Sequence, residues 1–149
     1  MSKSKIALAV ALIFGASAAA SAAELVVTSQ QAKGARALGV DFVSDGRATA
    51  FRARLSVPGA EQGTTNVSKC LGALPKTHTG SCVVTKSGEI TILVYSGKND
   101  LLPNGVVPVG QIGVRSLAQA KAGANVQVTE LLVSDAMSNA IESTSTVEQ

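Results

Sequence analysis

The sequence predicts an all-β domain, a two-layer sandwich of eight or nine short strands behind an N-terminal export signal. Three observations predict it. Beyond residue 24, apolar and polar residues alternate with period two through several stretches, the spacing of half-buried strands. Turn signals such as Asp45-Gly46 and Pro58-Gly59 recur roughly every 8–12 residues, the interval of sandwich strands. Only Ser116–Ala122 has good helix propensity, and it is short enough to be one helical turn or plain loop.

The chain opens with two lysines, Lys3 and Lys5, then an apolar run from Ile6 to Phe14 and small residues from Gly15 to Ala23. That three-part order defines a secretory signal peptide. A membrane anchor would need about 20 apolar residues, more than this run supplies. The expected leader is 1–23 and the domain 24–149, with a cut after Ala22 as the neighbouring option. No cysteine follows the small residues, so nothing indicates a lipid anchor. The whole chain carries 13 Lys+Arg against 10 Asp+Glu. Loss of Lys3 and Lys5 with the leader leaves 11 against 10, a net +1. So slight an excess gives no electrostatic footprint for nucleic acid or for a membrane surface.

Two cysteines remain, Cys70 and Cys82. In an exported protein an even count reads as a disulfide, here closing a short loop worth about 3 kcal/mol. A metal site is the competing reading. Structural zinc wants four ligands, and His78 is the only histidine in the chain.

The strands follow in order. Leu25–Thr28 is a short first strand. In Ala35–Val43, Arg36, Leu38, Val40 and Phe42 share one phase. Ser44–Arg47 forms a hairpin turn, because Asp45-Gly46 supplies the positive φ of a tight turn. In Ala48–Val57, Phe51, Ala53, Leu55 and Val57 alternate with Arg52, Arg54 and Ser56, leaving one wet, basic face. Glu61–Asn66 is polar loop, and Val67–Leu71 is read as a short strand entering the cysteine loop. Cys82–Thr85 leaves that loop. Gly88–Ser96 is the strongest strand: Ile90, Ile92 and Val94 fall on one face, Thr91, Leu93 and Tyr95 on the other. Both faces look at least half buried, which places this strand in the middle of a sheet. Val106–Val114 is a bent strand or a pair, since Pro108 and Gly110 call for an edge, kink or bulge. Val126–Val133 is a strong strand, and Ile141–Val147 is an edge strand or a frayed tail.

The order of these features resembles the cohesin-like domains, β-sandwich modules of cellulosomal scaffold proteins related to carbohydrate-binding modules. The resemblance is carried by Val40–Phe42, Ala50–Pro58, Gly88–Ser96, Leu102–Gly105, Val109–Val114, Val126–Ala136 and Asn139–Ile141. It implies a nine-stranded jelly-roll sandwich. The sequence departs from the scaffold proteins in carrying a single domain, in lacking a dockerin-like calcium repeat, and in its Cys70/Cys82 pair, so the fold carries over where dockerin binding need not.

Chemistry-bearing clusters are sparse. His78 stands in a polar loop without a sequence partner and is expected to be a solvated loop residue. Asn99 with Asp100, and Asp135 with Asn139, are the only oxygen clusters of the kind calcium uses, and both read as turn residues. No catalytic set and no cofactor motif is found, and no metal ligand set is expected. Of the aromatics, Phe42 and Phe51 run in phase with the core. Tyr95 is the one candidate sugar contact, against its reading as a core-rim residue. Arg47, Arg52 and Arg54 form the candidate partner-binding face, against a solvated face that keeps the sheet soluble. The expectation is a secreted or periplasmic, non-catalytic binding or adhesion module, engaging a protein or polysaccharide at the cell envelope, without nucleic acid and without membrane insertion after cleavage. The alternative is a carbohydrate-binding protein. The exported protein is expected to begin at or within a residue of Glu24. Mass spectrometry checks this, and an intact N-terminus in the envelope fraction would overturn it.

Overall fold

A computed structural model describes residues 22–32, 34–115 and 125–149. The expected leader up to residue 21 and the helix-favouring Ser116–Ala122 lie outside the described residues. Period-two alternation becomes ten strands: β1 (Ala23–Ala32), β2 (Ala35–Ser44), β3 (Ala48–Ser56), β4 (Thr65–Asn66), β5 (Thr79–Val84), β6 (Glu89–Tyr95), β7 (Gly105–Arg115), β8 (Gln127–Asp135), β9 (Ala140–Ile141) and β10 (Ser143–Glu148). They form two five-stranded sheets, ordered β10-β1-β2-β7-β4 and β5-β6-β3-β8-β9. All pairings are antiparallel except β1 with β10. The chain passes repeatedly from one sheet to the other, as in a jelly roll. No helix among the described residues is long and apolar enough to cross a membrane.

The inward phases expected for β2 and β3 are the ones found. Leu38, Val40 and Phe42 face Phe51, Ala53 and Leu55 across the sandwich, all nearly or fully buried. The Phe42 and Phe51 rings stack with centroids 4.5 Å apart and planes 12° from parallel. Gly46 takes the expected positive φ, 89°, but the turn is not the expected hairpin: β2 and β3 lie in different sheets, and Ser44–Arg47 carries the chain across the sandwich. Arg36 shares the inward phase and is buried as well, with Nη1 donating to Ser29 Oγ at 2.7 Å.

Three further expectations are corrected. Gly88–Ser96 was expected in the middle of its sheet with both faces half buried. Ile90, Ile92 and Val94 are fully buried, but Leu93 is 37% and Tyr95 43% exposed. The middle of the sheet is β3, and β6 lies beside it with one face in solvent. Val67–Leu71 is a series of turns, not a strand: Cys70 N–H donates to Val67 O, Gly72 N–H to Lys69 O and Leu74 N–H to Leu71 O. The strand in this region is β4, in the segment expected as loop, where Thr65 and Asn66 pair with Val114 and Gly113. His78 is buried, not solvated. A turn closed by His78 N–H to Pro75 O folds the ring inward, and Nε2 lies 3.0 Å from Thr49 O. A carbonyl only accepts, so Nε2 carries the proton, and Nδ1 takes the Thr77 hydroxyl at 2.8 Å.

Pro108 and Gly110 produce the expected bulge. Pro108 stands opposite Asp41 and Gly110 opposite Val40, leaving Val109 as the extra residue. The cysteine loop takes up the backbone groups around it, with Ala73 N–H donating to Val109 O and Gln111 N–H to Lys69 O. The approach is so close that a Cβ on Gly110 would sit 2.1 Å from Cys70 O. Cys70 then bonds to Cys82 on β5, tying the loop packed on one sheet to the edge strand of the other.

Ile92→Ala is expected to cost about 2–5 kcal/mol and Arg52→Ala to stay within about 0.5 kcal/mol, because the first opens a cavity between the sheets and the second trims an exposed side chain. Urea unfolding of the two variants checks the contrast, and similar small effects would contradict the burial pattern. Cys82→Ser should cost about 2–4 kcal/mol. Reaction of the unreduced native protein with two equivalents of a thiol reagent would show that the bridge does not form.

Candidate partner-binding face

The outer face of sheet β5-β6-β3-β8-β9 is built on Arg52 and Arg54, two positions apart on β3. Strand register fixes their neighbours. Arg52 stands between Leu93 on β6 and Leu132 on β8, and Arg54 between Thr91 and Glu130. Arg52 Nη2 donates to Glu130 Oε2 at 3.2 Å. Arg54 Nη2 lies 3.5 Å from Glu130 Oε1, and its Nε lies 4.0 Å from Glu89 Oε1. The arginines are therefore compensated by two carboxylates within their own face, and the basic row is locally neutral. Such exposed pairs stabilise a fold by at most about 1 kcal/mol each.

Around this ion-paired centre lie apolar side chains that the core does not use. Leu132 and Val83 are each 53% exposed, beside Leu93 and Tyr95. A shallow concavity of about 350 Å³ opens between Arg52, Leu93, Leu132, Ser134 and Ala140. Tyr95 closes the end of β6 on the same face, opposite Thr79 on β5.

Arg47 is elsewhere. It sits in the β2–β3 turn, its Nε and Nη2 donating to Asp45 Oδ2 at 3.0 and 2.8 Å, while its N–H donates to Asp45 Oδ1 at 2.9 Å. Burial pushes the Asp45 carboxyl upward, but the hydrogen bonds and charge of Arg47 outweigh it and hold the group below the usual carboxylate value. The folded value is the depressed one. This contribution to stability is thus complete above the ordinary Asp range and lost as pH falls through the folded value.

The turn readings of the oxygen clusters are met. Asp135 Oδ1 accepts from Met137 N–H and Asn139 N–H, each at 2.9 Å. Ser96 Oγ donates to Asp100 Oδ2 and accepts from Lys98 and Asp100 N–H. Asn99, at a φ of 62°, reaches across with Nδ2 to Ala136 O at 2.7 Å, joining the two loops. Among the described residues no group of three His, Cys, Asp or Glu side chains converges as a metal site.

Leu93, Leu132, Val83, Glu130 and Glu89 complete this face, and none of them stands out for it in the sequence. Its signal in β8 is hidden by a register shift against β3 between Arg54 and Leu55, where Glu130 pairs with Arg54 and Val128 with Leu55. The bulge reverses the phase, so Glu130 and Leu132 turn outward although Leu131 and Leu132 look alike in sequence.

No family model and no curated protein matches the chain by sequence. Solved structures match by shape. The second type II cohesin module of the adaptor ScaA scaffoldin of Acetivibrio cellulolyticus superposes with a TM-score of 0.58 at 13% identity, over 86% of this chain and 94% of that one. A type I cohesin–dockerin complex from Clostridium thermocellum gives 0.57 at 13% identity, over 85% and 94%. A non-cellulosomal cohesin from Archaeoglobus fulgidus gives 0.57 at 11% identity, over 87% and 93%. The chain has a cohesin-like fold.

Proposed function

We propose that this chain is an exported, non-catalytic binding module of the cell envelope that engages a protein partner through the outer face of sheet β5-β6-β3-β8-β9. The observation that carries the reading is the exposed set of Leu93, Leu132 and Val83 around the Arg52–Glu130 pair. Apolar side chains gathered on one face and rimmed by polar groups are the composition of a docking surface. The rigid sheet presents them with little ordering cost on binding. Among structures with this fold, the Clostridium thermocellum example is a cohesin–dockerin complex, which supports a protein as the partner class. The disulfide supports an oxidising, exported location, secreted or periplasmic. A polysaccharide partner on this same face would lean on Tyr95 alone, a single ring where stacking recognition favours several.

The face is electrically balanced, so affinity rests on the leucines and specificity on the arginines. In pull-downs from native envelope extract, Leu132→Asp is expected to weaken retention of a stoichiometric protein partner at least tenfold, about 1.4 kcal/mol. The Arg52→Glu, Arg54→Glu double variant should weaken it too, by setting four acids together. A partner held equally by wild type and both variants would move the site off this face. Specific retention on a neutral polysaccharide, insensitive to these changes but lost in Tyr95→Ala, would replace the reading with a carbohydrate-binding one.

A further inference from the structure

Sheet β10-β1-β2-β7-β4 presents an outer face of opposite character. Along β2 the outward residues Ala35, Ala37 and Gly39 leave its middle almost bare. Gly113 on β7, paired with Ala37, extends the bare area toward β4. Side chains rise on both sides of it. Gln30 stands on β1 opposite Ala37, and Gln111 on β7 opposite Gly39. Asn66 on β4 faces Gly113, with Arg115 at the hollow beside Ala35 and Lys69 at the neighbouring one beside Gln111. The result is a trough in which hollows of about 420, 210 and 230 Å³ run into one another through Ala37, which lines all three. Its β1 and β7 walls are two strand spacings apart, about 10 Å.

We propose that this trough binds an anionic saccharide chain, a polysaccharide bearing uronate carboxylates. The side-chain amides of Gln30, Asn66 and Gln111 each donate and accept, as sugar hydroxyls do, so they pair with a hydroxylated ring in either sense. Lys69 and Arg115 are both exposed, Arg115 in the hollow beside Ala35 and Lys69 in the one beside Gln111, and no acid lines the trough among the described residues. Asp41, the next outward residue of β2 after Gly39, bounds the opposite end, so the cationic half is the one beside Ala37 and Gly113. Arginine and lysine there match a carboxylate by charge-assisted hydrogen bonds. The floor disfavours a peptide: its backbone groups are committed to the ladders of β1, β2 and β7, leaving none for strand addition. Among the described residues the walls also expose no aromatic or large aliphatic side chain of the kind that anchors protein partners. A neutral glycan would want an aromatic platform, which the trough does not supply. The site lies across the sandwich from the face assigned to a protein partner and stands without it.

Affinity electrophoresis of the disulfide-bonded protein through polygalacturonate, its methyl-esterified form and polyglutamate tests the proposal. Gly113→Phe fills the trough at a position where an added Cβ meets nothing within 4 Å. An unchanged unfolding midpoint confirms that this variant folds. Wild type should be retarded by polygalacturonate, with an apparent affinity at least tenfold lower in Gly113→Phe and in the Lys69→Gln, Arg115→Gln double variant. A Lys86→Gln, Lys98→Gln protein, which loses the same two charges at exposed positions outside the trough, should bind like wild type, and the methyl ester should retard none. Absence of retardation by polygalacturonate, retardation that survives Gly113→Phe, or equal retardation by polyglutamate would each overturn the proposal, the last by showing generic charge or an acidic peptide.

Discussion

The molecule depends on apolar contact between two sheets that share few backbone hydrogen bonds. Each sheet satisfies its own ladders, so what holds one against the other is burial of alternate side chains, at about 25 cal/mol per Å² removed from water. The stacked Phe42 and Phe51 rings, one from each sheet, are at the centre of that contact. With Phe42 and Phe51 the only aromatic carbon rings buried among the described residues, the remaining volume is filled by Val, Leu, Ile and Ala, whose rotamers in strands are few. This dictates the register of every interior strand. A slip of one residue in β3 would exchange Phe51 and Leu55 for Arg52 and Arg54 in the interior, and charges are not buried unpaired.

A sandwich closed by side chains alone is open along its edges, and here one edge is bridged. The loop after β4 leaves one sheet and must reach β5 at the border of the other. It lies against the β7 bulge, and Gly110 permits that contact because any side chain would collide with the carbonyls of Lys69 and Cys70. Cys70–Cys82 then fixes the loop to β5, and His78 fixes its far end to β3 through the Thr49 carbonyl. Disulfide, glycine and histidine act on one segment, so each limits the freedom the others would otherwise have to restrain.

The fold was legible where alternation is uninterrupted. β2 and β3 show their inward phases in the sequence because no bulge intervenes between Leu38 and Phe42 or between Phe51 and Leu55. Pro108 and Gly110 announced their bulge by chemistry. Legibility failed where tertiary geometry decides. Leu93 and Tyr95 have the composition of buried residues, and among the described residues no third layer covers them. Val67–Leu71 has strand propensity, yet the disulfide and the Gly110 approach curl it into turns. His78 looked solvated because its partner, Thr49, is 29 residues away. Of the candidate face, Arg52 and Arg54 could be read from their phase. Glu130 and Leu132 could not, because the β8 bulge has no proline or glycine to mark it. Arg47 was read with them from its charge, whereas Asp45 two residues earlier binds it in the turn.

The two outer faces bear on function because neither is explained by folding. An outward residue on a sheet needs only to be soluble, and alternating threonine, lysine and glutamate would meet that need. Leu93, Leu132 and Val83 add nothing to the inter-sheet core, and together they enlarge an exposed apolar patch, which favours association. The Arg52–Glu130–Arg54 group adds little stability at the surface while ordering three long side chains. On the opposite side, Gly39 and Gly113 weaken the strands they occupy, since glycine in a strand interior loses backbone entropy and packs nothing. Both faces therefore carry small energetic costs that the core does not require. A partner on the leucine face and a ligand in the glycine-floored trough account for those costs by the same physical rule: surface that is unfavourable in the free protein is favourable once covered.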